Sequence, residues 1–242
     1  AQKALIQSEK MASLGILSAG IACEINNPLN FISLSIDNLK VELQEIVDLD
    51  KKMDSQSYEL LMKLLDHAQT GTSRISEIVN SLRMYSDSED VNMQACNMNE
   101  IIQKAITIIH SKIPAFVELE LDLNEIPVIN CRQNQISQVI INIIDNAIHA
   151  ISEKPEWKDE KIKISTGIEK NHGKEFVLIN ISNTGPKLSK SVLEHIFEPF
   201  YTTKAPNKGT GLGLYISYDI IKEHHGFLIA ENNENFVIFK IL

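Results

Sequence analysis

Three glycines at alternate positions, Gly209, Gly211 and Gly213, stand in the stretch KGTGLGLYIS at residues 208–217 and lead straight into a helical pattern. Glycine lets a backbone come close to a phosphate, and a helix N-terminus offers that phosphate unpaired N–H groups and partial positive charge. The segment, with Thr210 and Leu212 between the glycines, is a candidate anion cradle. A tight loop with no ligand would use the same glycines. The surrounding sequence favours chemistry. In QVIINIIDNAIHA, Gln138, Asn142, Asp145, Asn146 and His149 fall at helical spacing on one side of a segment otherwise made of Ile, Val and Ala. A solvated face would be richer in Lys and Glu. Carboxamide oxygens suit a hard cation such as Mg2+, which keeps most of its waters and takes one or two protein oxygens plus phosphates. Asn146 is the candidate metal ligand.

Two further stretches carry polar groups at turns. ISNTGPKL, residues 181–188, reads as a strand end passing into a Gly-Pro turn, and IFEPFYTTKAPNKGTG, residues 196–211, places Lys204 and Lys208 on a flap-like loop before the glycines. Near the other end of the chain, CEINNPL at residues 23–29 sets a thiol and a proline inside an apolar periodic helix. Cys23 lies about 200° around the helix from both Ile21 and Ile25, so it is expected to face solvent, with Asn27 one turn on along the same face. Pro28 has no N–H, which leaves the Glu24 carbonyl without its helix partner and lets the rod bend there.

The elements that hold these residues follow from periodicity. Apolar residues from Leu14 to Ile46 recur at spacings of three and four, and after the polar break DLDKKMDSQS the pattern resumes as Leu61, Leu65, Ala68, Thr72, Ile75, Val79 and Leu82. Two long helices then make an antiparallel hairpin over residues 1–88. A two-helix hairpin has too little interior to bury such a stripe, so a homodimeric four-helix bundle is expected. His67, on the second helix, reads as a surface residue. Beyond the aperiodic SDSEDVNMQACNMN the texture alternates between helix-like and strand-like runs, which gives a second domain over residues 97–242, a two-layer α/β sandwich with helices on one face.

Composition limits the partners. The chain has 242 residues, is 43% hydrophobic and 23% charged, and carries a net charge of −9, which argues against nucleic acid. No apolar run approaches the roughly 18 residues of a membrane span. Neither an initiator Met nor a signal peptide opens it, so a fragment of something longer, without membrane contact of its own, is expected. Cys23, Cys96 and Cys131 form neither a disulfide framework nor a zinc motif, which fits a reducing cytoplasm.

The order of these motifs, an Asn-rich helix, a strand with a Gly turn, a Phe-Glu-Pro-Phe segment and G-x-G-x-G, resembles the ATP-binding domain of sensor histidine kinases over residues 97–242, a fold shared with gyrase-type ATPases and Hsp90-class chaperones. CEINNPL is similar to the same family's phosphoacceptor box, in which a phosphorylated His is followed by Glu, two variable residues, Asn or Thr, and Pro-Leu. The resemblance implies a Bergerat-type fold, Mg-ATP or ADP as ligand, and a response regulator as partner. An upstream sensor domain, outside this stretch of sequence, is expected from the same resemblance. It also implies roles: Glu24 as base for the acceptor, Asn27 as the residue that positions water for dephosphorylating the regulator, and Asn142, Asn146, His149, Asn183, Gly185, Lys204, Lys208 and residues 209–213 as the nucleotide site.

Two positions depart from the family pattern. Cys23 stands where the phosphorylated His belongs, and a thiol beside Glu24 is held in its neutral form, so loss of autophosphorylation is expected. A redox-sensing or merely tolerated cysteine are the other readings. Asn183 stands where the family has the Asp that accepts a hydrogen bond from the adenine amino group, and Lys187 replaces a glycine, so weak nucleotide binding is expected. The alternative to a kinase is a pseudokinase, acting as a response-regulator phosphatase or as a non-catalytic scaffold.

Overall fold

A computed structural model of the chain describes residues 25–41, 43, 55–86, 93–156, 158–171, 173–204 and 209–242. Cys23, Glu24 and Lys208 lie outside the described residues. The chain divides into two units, one of Ala1–Asp87 with Pro199–Leu212 and one of Ser88–Glu198 with Gly213–Leu242.

Two helices stand in the first unit. Helix α1 covers residues 25–41 and runs through Pro28, which is buried together with Ser35, while Ile25, Ile32 and Leu39 are half-buried. Helix α2, Ser55–Ser86, buries Leu61, Leu64, Gly71 and Ile78 and half-buries Ala68 and Ile75. Within one chain this is a seam with strict three-four spacing. Leu65 and Thr72, which the sequence puts in the stripe of a dimeric bundle, are exposed in the single chain. The reason is Gly71. A Cβ there would come within 2.7 Å of Ile32 Cγ1 and 3.0 Å of the Pro28 carbonyl oxygen, so α1 approaches α2 at its smallest residue, and that contact sets the register.

The second unit is a two-layer arrangement. Strands β2 (Val117–Leu123), β4 (Glu160–Asn171), β5 (Lys174–Asn183), β6 (Leu228–Asn232) and β7 (Val237–Ile241) form one sheet in the order β2-β4-β5-β7-β6. Only the β2–β4 pairing is parallel. Period-two alternation explains which face packs: Ile162, Ile164, Ile179, Ile181, Phe239 and Ile241 are buried, and Lys161, Lys163 and Lys240 alternate with them on the other face. Helices α3 (Met98–Ile109), α4 (Gln133–Ser152) and α6 (Gly213–Glu223) contribute the facing core. Helix α4 alone buries Ile136, Val139, Ile140, Ile143, Ile144, Ala147, Ile148 and Ile151.

Three short elements escaped the sequence pattern. Strands β1 (Gln94–Cys96) and β3 (Ile129–Cys131) pair antiparallel, and α5 covers Lys190–His195. Three residues show no period, so such strands are legible only through their partners. Cys96 and Cys131 are free and buried in this ladder, where burial, with the Cys96 thiol beside it, pushes the Cys131 thiol up to about 12.

Candidate functional site

Helix α4 carries its polar residues as a half-buried stripe. Gln138, Asn142, Asp145, Asn146 and His149 are all partly exposed, while Val139, Ile140, Ile143, Ile144, Ala147 and Ile148 between them are buried. Asn142 uses its whole carboxamide on the protein: Gln138 Nε2 donates to its Oδ1 at 2.7 Å, and its Nδ2 donates to the Gly213 carbonyl and to Ser217 Oγ, both at 3.3 Å. Ser217, fully buried, donates in turn to the Gly213 carbonyl at 2.9 Å. Gly213, the third of the alternating glycines, is thus the first residue of α6 and is tied to the middle of α4. Asp145 pairs with Lys112 Nζ at 3.0 Å, and His149 Nδ1 lies 3.6 Å from Glu153 Oε1.

The far end of α6 is tied to the start of α4. Arg132 Nη1 meets Glu223 Oε2 at 2.7 Å and Gln135 Oε1 at 3.1 Å, and the Arg132 backbone N–H donates to His224 Nε2 at 3.1 Å. His224 Nδ1 donates to the Ile220 carbonyl at 2.7 Å, so both ring nitrogens are committed in the neutral form. Burial holds the His224 pKa below its ordinary value, and the charge of Arg132 adds to that. The two ties make α4 and α6 an antiparallel pair with a fixed spacing.

At the C-terminal end of α4 stands a polar corner. Asn183 closes β5, is 2% exposed, and its Oδ1 accepts the Gly185 N–H at 2.9 Å. A Cβ on Gly185 would lie 2.7 Å from that oxygen and 3.0 Å from Ala150 Cβ, so only glycine fits between Asn183 and α4. Glu160, 1% exposed, anchors the corner: Lys154 Nζ and Thr184 Oγ1 donate to its two oxygens, and the Lys158 N–H donates to it at 3.2 Å. Burial raises its pKa, and the bonds from Lys154, Thr184 and Lys158 outweigh that and hold it below the usual carboxylate range. Lys187 is exposed.

Residues 199–212 fold back on themselves. The Phe200 N–H donates to the Gly211 carbonyl at 3.0 Å, and Gly211 has φ +66° with the Phe200 carbonyl carbon 2.3 Å from where a Cβ would stand. No side chain fits there. Phe200 itself has φ +65°, an uncommon region for a bulky residue that costs on the order of 1–3 kcal/mol and clusters at functional segments. Lys204 is half-buried with its chain over Gly209, its N–H donates to Thr202 Oγ1 at 3.2 Å, and Thr210 Oγ1 accepts the Leu212 N–H at 3.4 Å. On α1, Asn27 is exposed, and His67 on α2 is exposed as expected.

Residues 131–241 match the family model of the histidine kinase-, DNA gyrase B- and HSP90-like ATPases. Sporulation kinase E of Bacillus subtilis is 30% identical over 235 residues, which are 96% of this chain and 29% of that protein. The catalytic domain of histidine kinase ThkA is 32% identical, with a TM-score of 0.51 over 62% of this chain and 95% of that one. The chain belongs to the histidine kinase family. The histidine kinase AdeS of Acinetobacter baumannii extends the likeness to 86% of this chain and 93% of its own, with a TM-score of 0.56 and 26% identity. The ATPase domain implies nucleotide binding. This histidine kinase chain spans less than half the length of the curated relatives it matches.

Sequence reasoning found the stripe on α4 and the turn at Asn183 but missed Ser217 and Glu160. Ser217 had a faint signal, a small hydroxyl residue set between the apolar positions of α6. Glu160 had none, because its partners Lys154 and Thr184 come from separate elements.

Proposed function

We propose that the chain is the transmitter core of a two-component sensor histidine kinase, binding Mg-ATP or ADP and signalling to a response regulator as a homodimer through a four-helix bundle over residues 1–88, with a catalytic domain over 97–242. The observation that supports it best is the pairing of α4 with α6: Asn142 fastens Gly213, where the glycine-rich segment becomes helix, to the middle of the carboxamide stripe. Nucleotide contacts are assigned to Asn146, His149, Asn183, Gly185, Lys204, Lys208 and residues 209–213. Asn142 acts there as the fastener.

The donor set fits magnesium held mainly by phosphate. Among the described residues no group of three His, Cys, Asp or Glu side chains stands together as a metal cage, and Asn146 offers one half-buried carboxamide oxygen on the stripe. That is the kind of site in which Mg2+ takes one protein oxygen with the triphosphate and neutralises its charge. Asn146 would hold the ion, and the backbone N–H groups of the glycine segment would hold phosphate oxygens.

Cys23 in place of the acceptor His removes autophosphorylation in this reading, and Glu24 and Asn27 keep their family positions. The exposure of Asn27 favours the second reading, a regulator phosphatase or scaffold, because hydrolysis needs no acceptor His. The test is incubation with labelled Mg-ATP of the chain and of its Cys23→His form. Label on the Cys23→His form alone is the expected result. Label on neither form, with nucleotide bound, favours the phosphatase or scaffold, and label on Cys23 itself overturns the loss of autophosphorylation.

A further inference from the structure

We infer that Cys96 and Cys131, on the β1–β3 ladder, form a two-coordinate binding site for a soft monovalent metal ion of the Cu(I) class. Neither cysteine has a part in the nucleotide reading.

The register of the ladder puts the two thiols side by side. Gln94 pairs with Cys131 and Cys96 with Ile129, and side chains two apart on a strand share a face, so the cysteines are diagonal neighbours on one face of the ribbon. They are turned toward each other: the Cys131 thiol is hydrogen-bonded to the Cys96 thiol, and Cys96 Sγ donates to the Cys131 carbonyl at 3.9 Å. Both are free, and both are buried, at 8% exposure for Cys96 and 1% for Cys131.

Size decides which bond this pair can form. A disulfide takes Cα atoms roughly 4.4–6.8 Å apart and draws the sulfurs to about 2 Å, whereas diagonal neighbours stand about 7–8 Å apart, so oxidation would have to shift a strand. An ion held between the sulfurs asks for less. With metal–sulfur bonds of about 2.3 Å a linear bridge spans about 4.6 Å, a gap that suits two thiols already in hydrogen-bond contact. The number of donors then selects the ion. Zinc completes a tetrahedron, and among the described residues no third His, Cys, Asp or Glu joins these two. Thiolates favour soft ions, and Cu(I) accepts two of them alone. The ion replaces both thiol protons, which pass to solvent, and no electron is exchanged. Its path is short, because Gln94, Ala95, Ile129 and Asn130 of the same two strands are exposed and so short a ladder opens locally. Filled, the site clips β1, the first strand of the α/β unit, to β3, which runs into α4 at Arg132.

The test is anaerobic titration of the reduced full chain with Cu(I), in competition with the coloured Cu(I) chelator bathocuproine disulfonate, beside its Cys23→Ser, Cys96→Ser and Cys131→Ser forms. Uptake of one ion per chain is expected in the unmodified chain and in Cys23→Ser, and loss of that uptake in Cys96→Ser and Cys131→Ser alike. Thiols of an unfolded chain also bind Cu(I), so the folded site is read separately, as a rise in the melting temperature of the α/β unit of Cys23→Ser on adding one equivalent of Cu(I) or Ag(I). The same amount of Zn2+ should leave that temperature where it was. No uptake by Cys23→Ser, or a melting temperature that stays or falls with Cu(I), overturns the site, and both are read without the buried variants, whether or not those fold. Uptake that survives loss of either buried cysteine overturns it as well. Zn2+ raising the melting temperature as much as Cu(I) overturns the choice of ion.

Discussion

Helix α4 and helix α1 are both rich in large aliphatic residues, yet they treat them differently. In α4, Ile140, Ile143 and Ile144 reach 0% exposure, whereas in α1 Leu34 is 61% exposed and Leu29, Phe31, Ile36 and Val41 are exposed as well. The sheet and its neighbours give α4 a complete apolar surrounding. Two helices cannot do the same for each other: α2 covers α1 at Pro28 and Ile32 through Gly71 and leaves the next stripe open. Each such side chain left in water forgoes about 1.5–3 kcal/mol of burial. The comparison teaches that the α/β unit buries its apolar side chains by its own contacts, while the hairpin leaves a stripe that association in the proposed bundle would cover.

The largest effect that could break this comparison is loss of that association. In the proposed bundle, Leu29 and Ile36 share the uncovered stripe of α1, and a micromolar dimer is worth about 8 kcal/mol. Leu29→Glu with Ile36→Glu is expected to convert a dimer into a monomer, read as solution mass by light scattering, and to remove the concentration dependence of the hairpin's unfolding. The α/β unit should melt as before. If the unmodified chain is a monomer at tens of micromolar, the contrast between the two units has another cause.

Next in size is the Glu160 corner. Removing one partner of a buried, hydrogen-bonded ion pair leaves the other uncompensated, so Glu160→Ala is expected to cost the α/β unit about 3 kcal/mol in urea unfolding. Glu160→Gln keeps acceptor capacity toward Thr184 and Lys158 and should cost less. Because the folded-state pKa of Glu160 is depressed, its contribution is present above the ordinary carboxylate value and is lost as pH falls through the folded one. A cost below about 1 kcal/mol for Glu160→Ala would show that the corner does not depend on this anchor.

Gly71→Ala sharpens the same contrast from the hairpin side. Alanine gains about 1 kcal/mol of helix propensity over glycine, but its Cβ would overlap Ile32 Cγ1 and press on the Pro28 carbonyl, neither of which is a freely moving chain end. A net loss of about 1 kcal/mol is expected in the hairpin's transition and none in the α/β unit. A stabilised hairpin would mean that the helices can move apart at no cost.

What could be read in advance follows the length of each signal. The twenty residues of α4 repeat their apolar spacing often enough to define both the buried face and the stripe with Asn142 and Asn146. The ten-residue β5 alternates cleanly and ends at Asn183, so the position of that corner was legible while the direction of its carboxamide was not. Direction depends on the Gly185 N–H and on Ala150, contacts that no spacing encodes. Which residues of the second seam pack within one chain was hidden for a related reason. Leu64 and Leu65 are equally apolar in sequence, and the choice between them is made by Gly71, which periodicity counts as nothing.

The smallest predicted effect is a pH dependence confined to the α/β unit. His224 accepts the Arg132 N–H at Nε2 and donates from Nδ1 to Ile220, so a second ring proton would face a donor and break the tie between the start of α4 and the end of α6. The charged groups around it are Arg132 and His225, which disfavour protonation, and Glu223, which favours it and is itself bonded to Arg132. Its folded-state pKa lies below the ordinary 6.5, so between the two values the unfolded chain binds more protons than the folded one. The stability from this tie is therefore complete above 6.5 and declines as pH falls through the folded value. In thermal melts from pH 7.5 down to 5.5 the α/β transition should fall while the hairpin transition does not follow it. His224→Gln, which keeps an acceptor and a donor without titrating in this range, should flatten the decline. A decline of equal size in His224→Gln would assign the pH dependence to another group and leave the Arg132–His224 contact a pH-insensitive one.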